Sequence, residues 1–204
     1  MSLDGRELPP AEAGVELALP AEPAVLPQAA MRQRFLRAGW EFLHDLSVAV
    51  LFCFFLIAFV AQAFRVQGTS MEPLLLDGER IVVNKFVYRF RPIERGDVVV
   101  FWYPKEPSVS FVKRVIGLPG DVIQIRSGEV MVNGVAAKEE YLPSSFKDND
   151  DLPPTEVKKG FYFVLGDHRR SSNDSRAWGE VPERYIYGRA VFRFWPFARM
   201  GPIH

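Results

Sequence analysis

One serine and one lysine stand in surroundings that suit hydrolytic chemistry. Ser70 lies in the run Gly68-Thr69-Ser70-Met71-Glu72-Pro73, which follows an uncharged apolar segment, and Lys113 lies further on among β-branched and aromatic residues. A serine hydroxyl is a weak nucleophile until a neighbouring base takes its proton, and a neutral lysine can act as that base. The pair predicts a Ser-Lys hydrolase that works close to a bilayer surface.

The surroundings of Lys113 indicate how it would stay neutral. In a strand over 110–116, alternation places Lys113 on one face with Phe111 and Val115, and Arg114 on the other face. Burial would lower the pKa of the lysine, whereas an arginine keeps its proton. The alternative is an edge strand whose lysine points to water and blocks aggregation. Spacing alone does not decide between the two.

From the residues alone, two other side chains could act as the general base for Ser70. Lys85 lies between Val83 and Val87 on its own strand face. His168 follows Asp167, and either Asp167 or Asp174 could orient its ring, as in a Ser-His-Asp triad.

The apolar segment over 46–64 has the length of a membrane span. Its only polar side chains are Ser47 and Gln62, and at about 1.5 Å per helical residue it covers roughly 28 Å, close to the hydrocarbon thickness of a bilayer. We predict a transmembrane helix over 41–65. Ala61-Gln62-Ala63 has the form of a signal-peptide cleavage site, but the length of the segment and of the chain before it favours an anchor that is kept.

The residues on either side of this helix predict its orientation in the membrane. Residues 1–40 begin with a Pro-, Ala- and Glu-rich stretch and are predicted to be a disordered cytoplasmic tail. More arginines precede the span than follow it within a comparable distance, which places the N-terminus in the cytoplasm. The prediction is a single-pass protein of the cytoplasmic membrane with its catalytic domain on the extracytoplasmic side. The arginines compared are Arg32, Arg34 and Arg37 before the span and Arg65 and Arg80 after it.

Residues 66–204 alternate with a period of two and predict a mostly β domain. The predicted strands are 80–88, 97–103, 110–118, 121–125, 129–132, 160–165 and 185–195. The stretch 143–159 has no apolar period and is predicted to be an exposed excursion. With 25 basic and 25 acidic residues, the chain has no electrostatic footprint for nucleic acid. The single cysteine, Cys53, lies within the apolar segment and is uninformative about redox compartment.

Several motifs in this order resemble the boxes of bacterial type I signal peptidases. The similarity extends from Phe64 to the C-terminus, and the order of the boxes makes it specific. The boxes are Gly68-Thr69-Ser70-Met71-Glu72-Pro73, Arg95-Gly96-Asp97-Val98-Val99-Val100-Phe101, Lys113-Arg114-Val115-Ile116-Gly117-Leu118-Pro119-Gly120-Asp121, Gly166-Asp167-His168-Arg169 to Ser172, Asp174-Ser175-Arg176 and Trp178-Gly179.

The resemblance implies a signal-peptidase-like β-sheet catalytic domain preceded by a single transmembrane helix. It implies that Ser70 is the nucleophile and Lys113 the general base, which excludes Lys85 and His168 from that role. It further implies supporting roles for four other residues. Ser172 would help to orient the lysine, Asp174 and Arg176 would form an ion pair, and Arg114 would lie beside the base.

The resemblance also implies a substrate site. Signal peptides of exported preproteins would bind as an added strand and be cut after small-x-small residues, with shallow apolar pockets for the small side chains. The residues implied for these pockets are Phe64, Val66, Met71, Leu75, Phe111 and Val112. Gly68 stands where some members have a serine that donates to the oxyanion, so another group must be the second donor. No metal or cofactor is expected, because neither the histidines nor the acids show ligand spacing.

Two alternatives remain at this point. One is a self-cleaving or plasmid-type processing peptidase with the same Ser-Lys dyad. The other is a catalytically inactive membrane adaptor on the same fold, against which the intact Ser70 and Lys113 argue.

Overall fold

The computed structural model describes residues 28–55 and 61–204. Within these residues the chain forms two α-helices, twelve strands and several short 3-10 turns. The helices are α1 (Gln28–Phe55) and α2 (Ser175–Trp178). The strands are β1 (Ala61–Arg65), β2 (Arg80–Asn84), β3 (Val98–Tyr103), β4 (Glu106–Gly117), β5 (Val122–Arg126), β6 (Glu129–Val132), β7 (Val135–Ala136), β8 (Leu152–Glu156), β9 (Phe161–Leu165), β10 (Val181–Pro182), β11 (Ile186–Trp195) and β12 (Gly201–Pro202).

Helix α1 contains the candidate membrane span but begins earlier than predicted. It starts directly after Pro27, and no further proline interrupts it. Its part from Arg37 to Phe55 is 19 residues long with a mean hydropathy of 1.4 and no buried side chains, which is long and apolar enough to cross a bilayer. Residues 28–40 are therefore helical, and the prediction of a disordered tail is wrong for them. Residues 1–27 lie outside the described part of the chain.

The predicted transmembrane helix over 41–65 is also wrong at its C-terminal end. Residues 61–65 form β1, which pairs with β2 in antiparallel register from Ala61 opposite Asn84 to Arg65 opposite Arg80. Hydropathy measures composition, and it does not separate a short apolar strand from the end of an apolar helix. Phe64 packs on the core of the sheet, so this segment belongs to the β domain.

The β domain consists of two antiparallel sheets. The larger has eight strands in the order β1-β2-β11-β3-β4-β9-β10, with β12 added beside β11. The smaller has the order β7-β6-β5-β8. Strand β4 lies between β3 and β9 from Arg114 onward, and Lys113 is 3% exposed, which contradicts the alternative in which this lysine points to water. The predicted mostly β fold is observed.

Strands β3 and β4 are covered by apolar side chains on both faces. Val98 and Val100 belong to a core cluster on one face, and Val99 and Phe101 belong to a second cluster on the other. Lys113 lies opposite Val99 in the ladder, and Arg114 lies opposite Val98. Both basic side chains are consequently buried, each with 3% of its surface exposed.

The excursion predicted over 143–159 contains a strand. Residues 152–156 form β8 and pair with β5. The two prolines at 153 and 154 conceal it in the sequence, because proline is tolerated in a strand only at an edge or a bulge. As β8 lies at the edge of the smaller sheet, its prolines need not supply hydrogen bonds to a second neighbour.

Candidate active site

Ser70 lies in the turn that follows β1, where it is half-buried. Gly68 adopts a φ of 84°, a backbone conformation that costs glycine little, and its N–H donates to Asp77 Oδ1 at 2.8 Å. The carbonyl oxygen of Ser70 accepts a hydrogen bond from the backbone N–H of His168 at 3.1 Å. The turn that carries Ser70 is therefore held from both sides.

Lys113 lies directly against this serine. Its Nζ is 2.6 Å from Ser70 Oγ and 5.3 Å from the centre of the Phe111 ring. Burial lowers the pKa of Lys113 to about 8, although the negative charges of Asp174 and Asp167 act in the opposite direction. A substantial fraction of the lysine is then neutral near physiological pH, and the neutral amine can accept the serine proton.

The structure does not bring the two rival bases to the serine hydroxyl. Lys85 Nζ donates instead to Gln62 Oε1 at 2.9 Å. The His168 ring packs edge-on against Phe146, and its Nδ1 is 3.8 Å from Glu72 Oε2. His168 contributes its backbone N–H to the carbonyl of Ser70, a contact that sequence patterns do not reveal.

Asp174 is the most enclosed charged residue near this pair, with none of its surface exposed. Its Oδ2 accepts from the Gly166 N–H at 3.0 Å, and its Oδ1 lies 2.8 Å from Arg176 Nε. Arg176 also pairs with Asp148 and with Asp150. The predicted Asp174–Arg176 ion pair is therefore present, and residues of the 143–159 segment extend it.

The contribution of Asp148 was missed at the sequence level. A signal was available, since the acidic run 148–151 has the opposite charge to the arginine-rich box over 169–176. Opposite charge alone does not specify which residues pair, because exposed ion pairs form in many registers at little gain.

Ser172 lies next to Gly166 and close to the backbone of Ser70. A Cβ on Gly166 would lie 2.2 Å from Ser172 Oγ and 2.4 Å from the Ser70 carbonyl oxygen. Only glycine fits between these two groups. Ser172 Oγ is buried and has no hydrogen-bond partner among the described residues, so the structure contains no direct bond from it to Lys113.

Arg114 forms a buried ion pair on the face opposite Lys113. Its guanidinium bonds both carboxylate oxygens of Asp167, at 2.9 and 2.8 Å, and lies 4.0 Å above the centre of the Tyr141 ring. It also donates to the carbonyl oxygens of Gly96 and His204. Arg114 thus ties β4 to the loop that contains His168.

A cavity of about 420 Å³ opens beside Ser70 and Lys113. Of the six residues predicted for the substrate pockets, Phe64, Val66, Phe111 and Val112 line it. Met71 and Leu75 do not: they are 1% and 0% exposed and lie within the first core cluster. The reason is the turn after Ser70, in which the Leu75 N–H bonds the Met71 carbonyl and directs both side chains inward.

Other residues complete the wall of this cavity. Ile81 and Val100 close its apolar side, and Ser171 and Asn173 border its polar side. The alternation of β2 and β3 predicts that Ile81 and Val100 are buried but not that they border a cleft. Within residues 28–55 and 61–204, no group of three or more His, Cys, Asp or Glu side chains could hold a metal ion.

The chain matches a protein-family model described as signal peptidase, peptidase S26, over residues 39–195. It is 39% identical over 171 residues to a signal peptidase I of Leptolyngbya laminosa, covering 80% of this chain and 83% of that one. The chain belongs to the signal peptidase family S26.

Two further proteins are similar to this chain. The chain is 38% identical over 174 residues to signal peptidase IB of Staphylococcus aureus strain Mu50, covering 78% of this chain and 90% of that protein. A crystal structure of a signal peptidase I from Enterococcus faecalis V583 matches with a TM-score of 0.44 and 32% identity, over 48% of this chain and 97% of that one. Membership of the family is shown by the sequence matches, because a TM-score of 0.44 is too low to support it.

Family membership makes the chain a serine-type endopeptidase, a hydrolase of the signal peptidase I class. These matches support signal peptidase I over the plasmid-type processing peptidase and the inactive adaptor. A possible membrane-spanning helix precedes the β domain in the chain.

Proposed function

We propose that Ser70 attacks the scissile peptide bond of a signal peptide and that Lys113 is the general base. The observation that carries this proposal is the 2.6 Å contact between Lys113 Nζ and Ser70 Oγ. The buried surroundings of Lys113 lower its pKa to about 8, which makes its neutral, proton-accepting form accessible. No other described lysine or histidine side chain bonds this hydroxyl.

The proposed reaction follows the pattern of Ser-Lys hydrolases. Neutral Lys113 takes the hydroxyl proton as Ser70 Oγ bonds the carbonyl carbon, and it then gives the proton to the leaving amine. A water molecule, deprotonated by the same lysine, hydrolyses the acyl-enzyme. The N–H of Gly68 already donates to Asp77, so it is not a free donor for the oxyanion. The N–H of Ser70 is our candidate for one donor.

The supporting residues act by holding these two groups in place. Asp174 bonds the N–H of Gly166 and pairs with Arg176, and Gly166 lies against the carbonyl of Ser70. Arg114 fixes β4 beside Asp167. We assign Asp174, Arg176 and Arg114 as positioning residues. Ser172, whose hydroxyl has no partner among the described residues, would orient the lysine amine once a substrate is bound.

The substrate would lie as an extended strand between β1 and β4. Phe64 of β1, Val66 directly after that strand, and Phe111 and Val112 of β4 line the cavity beside Ser70. Side chains at positions one and three before the cut would point to this side of the strand, because alternate residues share a face. The apolar wall suits small side chains such as alanine.

Exported preproteins with signal peptides are the proposed substrates, and the proposed location is the cytoplasmic membrane with the β domain on the extracytoplasmic side. The test is incubation of the full chain in detergent micelles with one preprotein, followed by sequencing of the new N-terminus. We expect a single cut after a small-x-small sequence. A cut elsewhere, or no cut, would contradict the proposed function.

Substrate size provides the first prediction. Replacing the alanine before the cut with phenylalanine should lower kcat/KM by roughly 100-fold or more, since an enlarged side chain overpacks a shallow pocket. Glycine or serine at that position should be accepted. Kinetics on a set of preproteins that differ at this position would measure the effect. Efficient cleavage after phenylalanine would count against the proposed pocket.

The pH dependence provides the second prediction. Lys113 accepts a proton only when neutral, so kcat/KM should fall as the pH drops through a pKa of about 8 and protonates it. A Phe111→Asp substitution adds a carboxylate near the ammonium, stabilises the charged form and should shift this acid limb to higher pH. The measurement is the pH profile of kcat/KM.

The matched control for this profile is Phe90→Asp. Phe90 is 79% exposed and does not line the cavity at Ser70, so the acid limb should stay at the wild-type pH. If the limb also stays in place in a folded Phe111→Asp protein, Lys113 is not the titrating base.

A further inference from the structure

A second cavity, of about 400 Å³, lies beside the one at Ser70. Its volume falls in the range of ligand pockets, which is about 300–1,000 Å³. We call it the aromatic cavity. Its lining residues are Gln62, Phe64, Lys85, Trp102, Ser110 and Tyr187.

The two cavities adjoin, because Phe64 and Ser110 line both of them. Gln62 and Phe64 alternate along β1 and so share a face of that strand. Trp102 pairs with Ser110 in the ladder between β3 and β4, just as Val100 pairs with Val112 two residues further along. Paired residues of an antiparallel ladder share a face. The aromatic cavity therefore lies next to the cavity at Ser70 on the same face of the sheet.

The walls of the aromatic cavity differ from those of the cavity at Ser70. The ring of Tyr187 lies 5.2 Å from that of Trp102 and 6.1 Å from that of Phe64, measured between ring centres. Trp102 remains 43% exposed, so its ring is accessible to an incoming side chain. At the mouth, the Lys85 ammonium bonds Gln62 Oε1 at 2.9 Å.

From this geometry we infer that the aromatic cavity binds the substrate side chain five residues before the cut. This inference rests on the proposed function of Ser70 and Lys113. Phe64 and Ser110 line both cavities, and in the proposed function the residues before the cut lie along β1, so the upstream part of the substrate is taken to run from Ser70 toward Gln62. Side chains one, three and five before the cut then point to one face, about 7 Å apart. The first two enter the cavity at Ser70, and the fifth reaches the aromatic cavity.

The chemistry of the walls defines the preferred side chain. Flat aromatic surfaces stack with an aromatic ring and also bury a large aliphatic group. The ammonium of Lys85 at the mouth repels a basic side chain. The subsite should therefore favour phenylalanine or leucine over alanine and should disfavour lysine, in contrast to the small residues required near the cut.

The test uses the full chain in detergent micelles and peptides that differ only at the fifth position before the cut. We expect phenylalanine there to raise kcat/KM about three- to tenfold over alanine, and lysine to lower it. In Trp102→Ala and Tyr187→Ala proteins the phenylalanine-to-alanine ratio should fall below about twofold. In Lys85→Glu the lysine peptide should become better than the alanine peptide. Each ratio compares two peptides in one preparation, so a loss of folded protein cancels.

Trp195→Ala is the matched control, because Trp195 has a similar exposure of 46% but does not line either cavity. It should keep the wild-type ratio. An unchanged phenylalanine-to-alanine ratio in both Trp102→Ala and Tyr187→Ala would overturn the inference. An equal preference for phenylalanine at the fourth position before the cut would also overturn it. If the wild-type protein cuts none of the peptides, the proposed function itself fails. Cleavage without any preference at the fifth position refutes only the subsite.

Discussion

Replacing Ser70 with alanine is expected to lower kcat/KM by at least about 10⁴-fold, and Lys113→Ala should have a similar effect. The reason is that Ser70 Oγ and Lys113 Nζ are 2.6 Å apart and act as one unit. The double substitution should therefore be little worse than either single one, since removing one member already removes the function of the other. Steady-state cleavage of one preprotein by the three variants measures the effect.

The matched controls for the dyad are Ser108→Ala and Lys105→Ala. Both residues are exposed and do not line the cavity at Ser70: Lys105 lies in the turn between β3 and β4, and Ser108 lies near the start of β4. They should retain wild-type rates. Additive losses in the double variant would mean that serine and lysine act independently, and a folded Lys113→Ala protein with wild-type activity would exclude the lysine as base.

Replacing Asp174 with alanine is expected to lower the free energy of unfolding by about 3–5 kcal/mol. The carboxylate is fully buried and bonds both the Gly166 N–H and the Arg176 guanidinium. Its removal leaves a buried N–H without a partner and takes one anion from a largely buried arginine. Because Asp148 still pairs with Arg176, the loss should be near the lower end of this range. Denaturant unfolding followed by tryptophan fluorescence measures it.

Asp150→Ala is the control on the same arginine. Asp150 Oδ2 is 3.0 Å from Arg176 Nη1, but its side chain is 62% exposed. A solvent-exposed pair contributes at most about 1 kcal/mol, so the unfolding midpoint should move little. Equal losses in the two variants would show that burial does not set the strength of this cluster.

The strands of the β domain were largely predictable because short β-branched and aromatic runs are bounded by turn residues. β6 was predicted at its observed bounds, and β3, β5, β9 and β11 within one residue at each end. β8 was missed, since Pro153 and Pro154 suppress the strand signal and its pairing with β5 makes it a strand. Such pairing is a tertiary event that local propensity does not contain.

The membrane segment shows a related limit. Composition correctly indicated a helix long enough to cross a bilayer. It did not indicate where that helix ends, because the apolar segment runs on to Phe64 in the sequence, and the pairing of Ala61–Arg65 with β2 makes this part a strand. The same pairing places Phe64 beside Ser70, where it lines the cavity.

The sequence by itself determined the residue types and the order of the motifs, and with them the family; the resemblance also predicted Ser70, Lys113 and the Asp174–Arg176 pair. Only the tertiary structure decided that Lys113, not Lys85 or His168, meets the serine hydroxyl. The physical reason is that the alternation of β4 offers two faces but does not say what covers them. On its own face Lys113 lies against Ser70 and the Phe111 ring and is 3% exposed, and that burial lowers its pKa. Likewise, Met71 and Leu75 pack into the core and not into the substrate cavity, because the turn after Ser70 directs them inward.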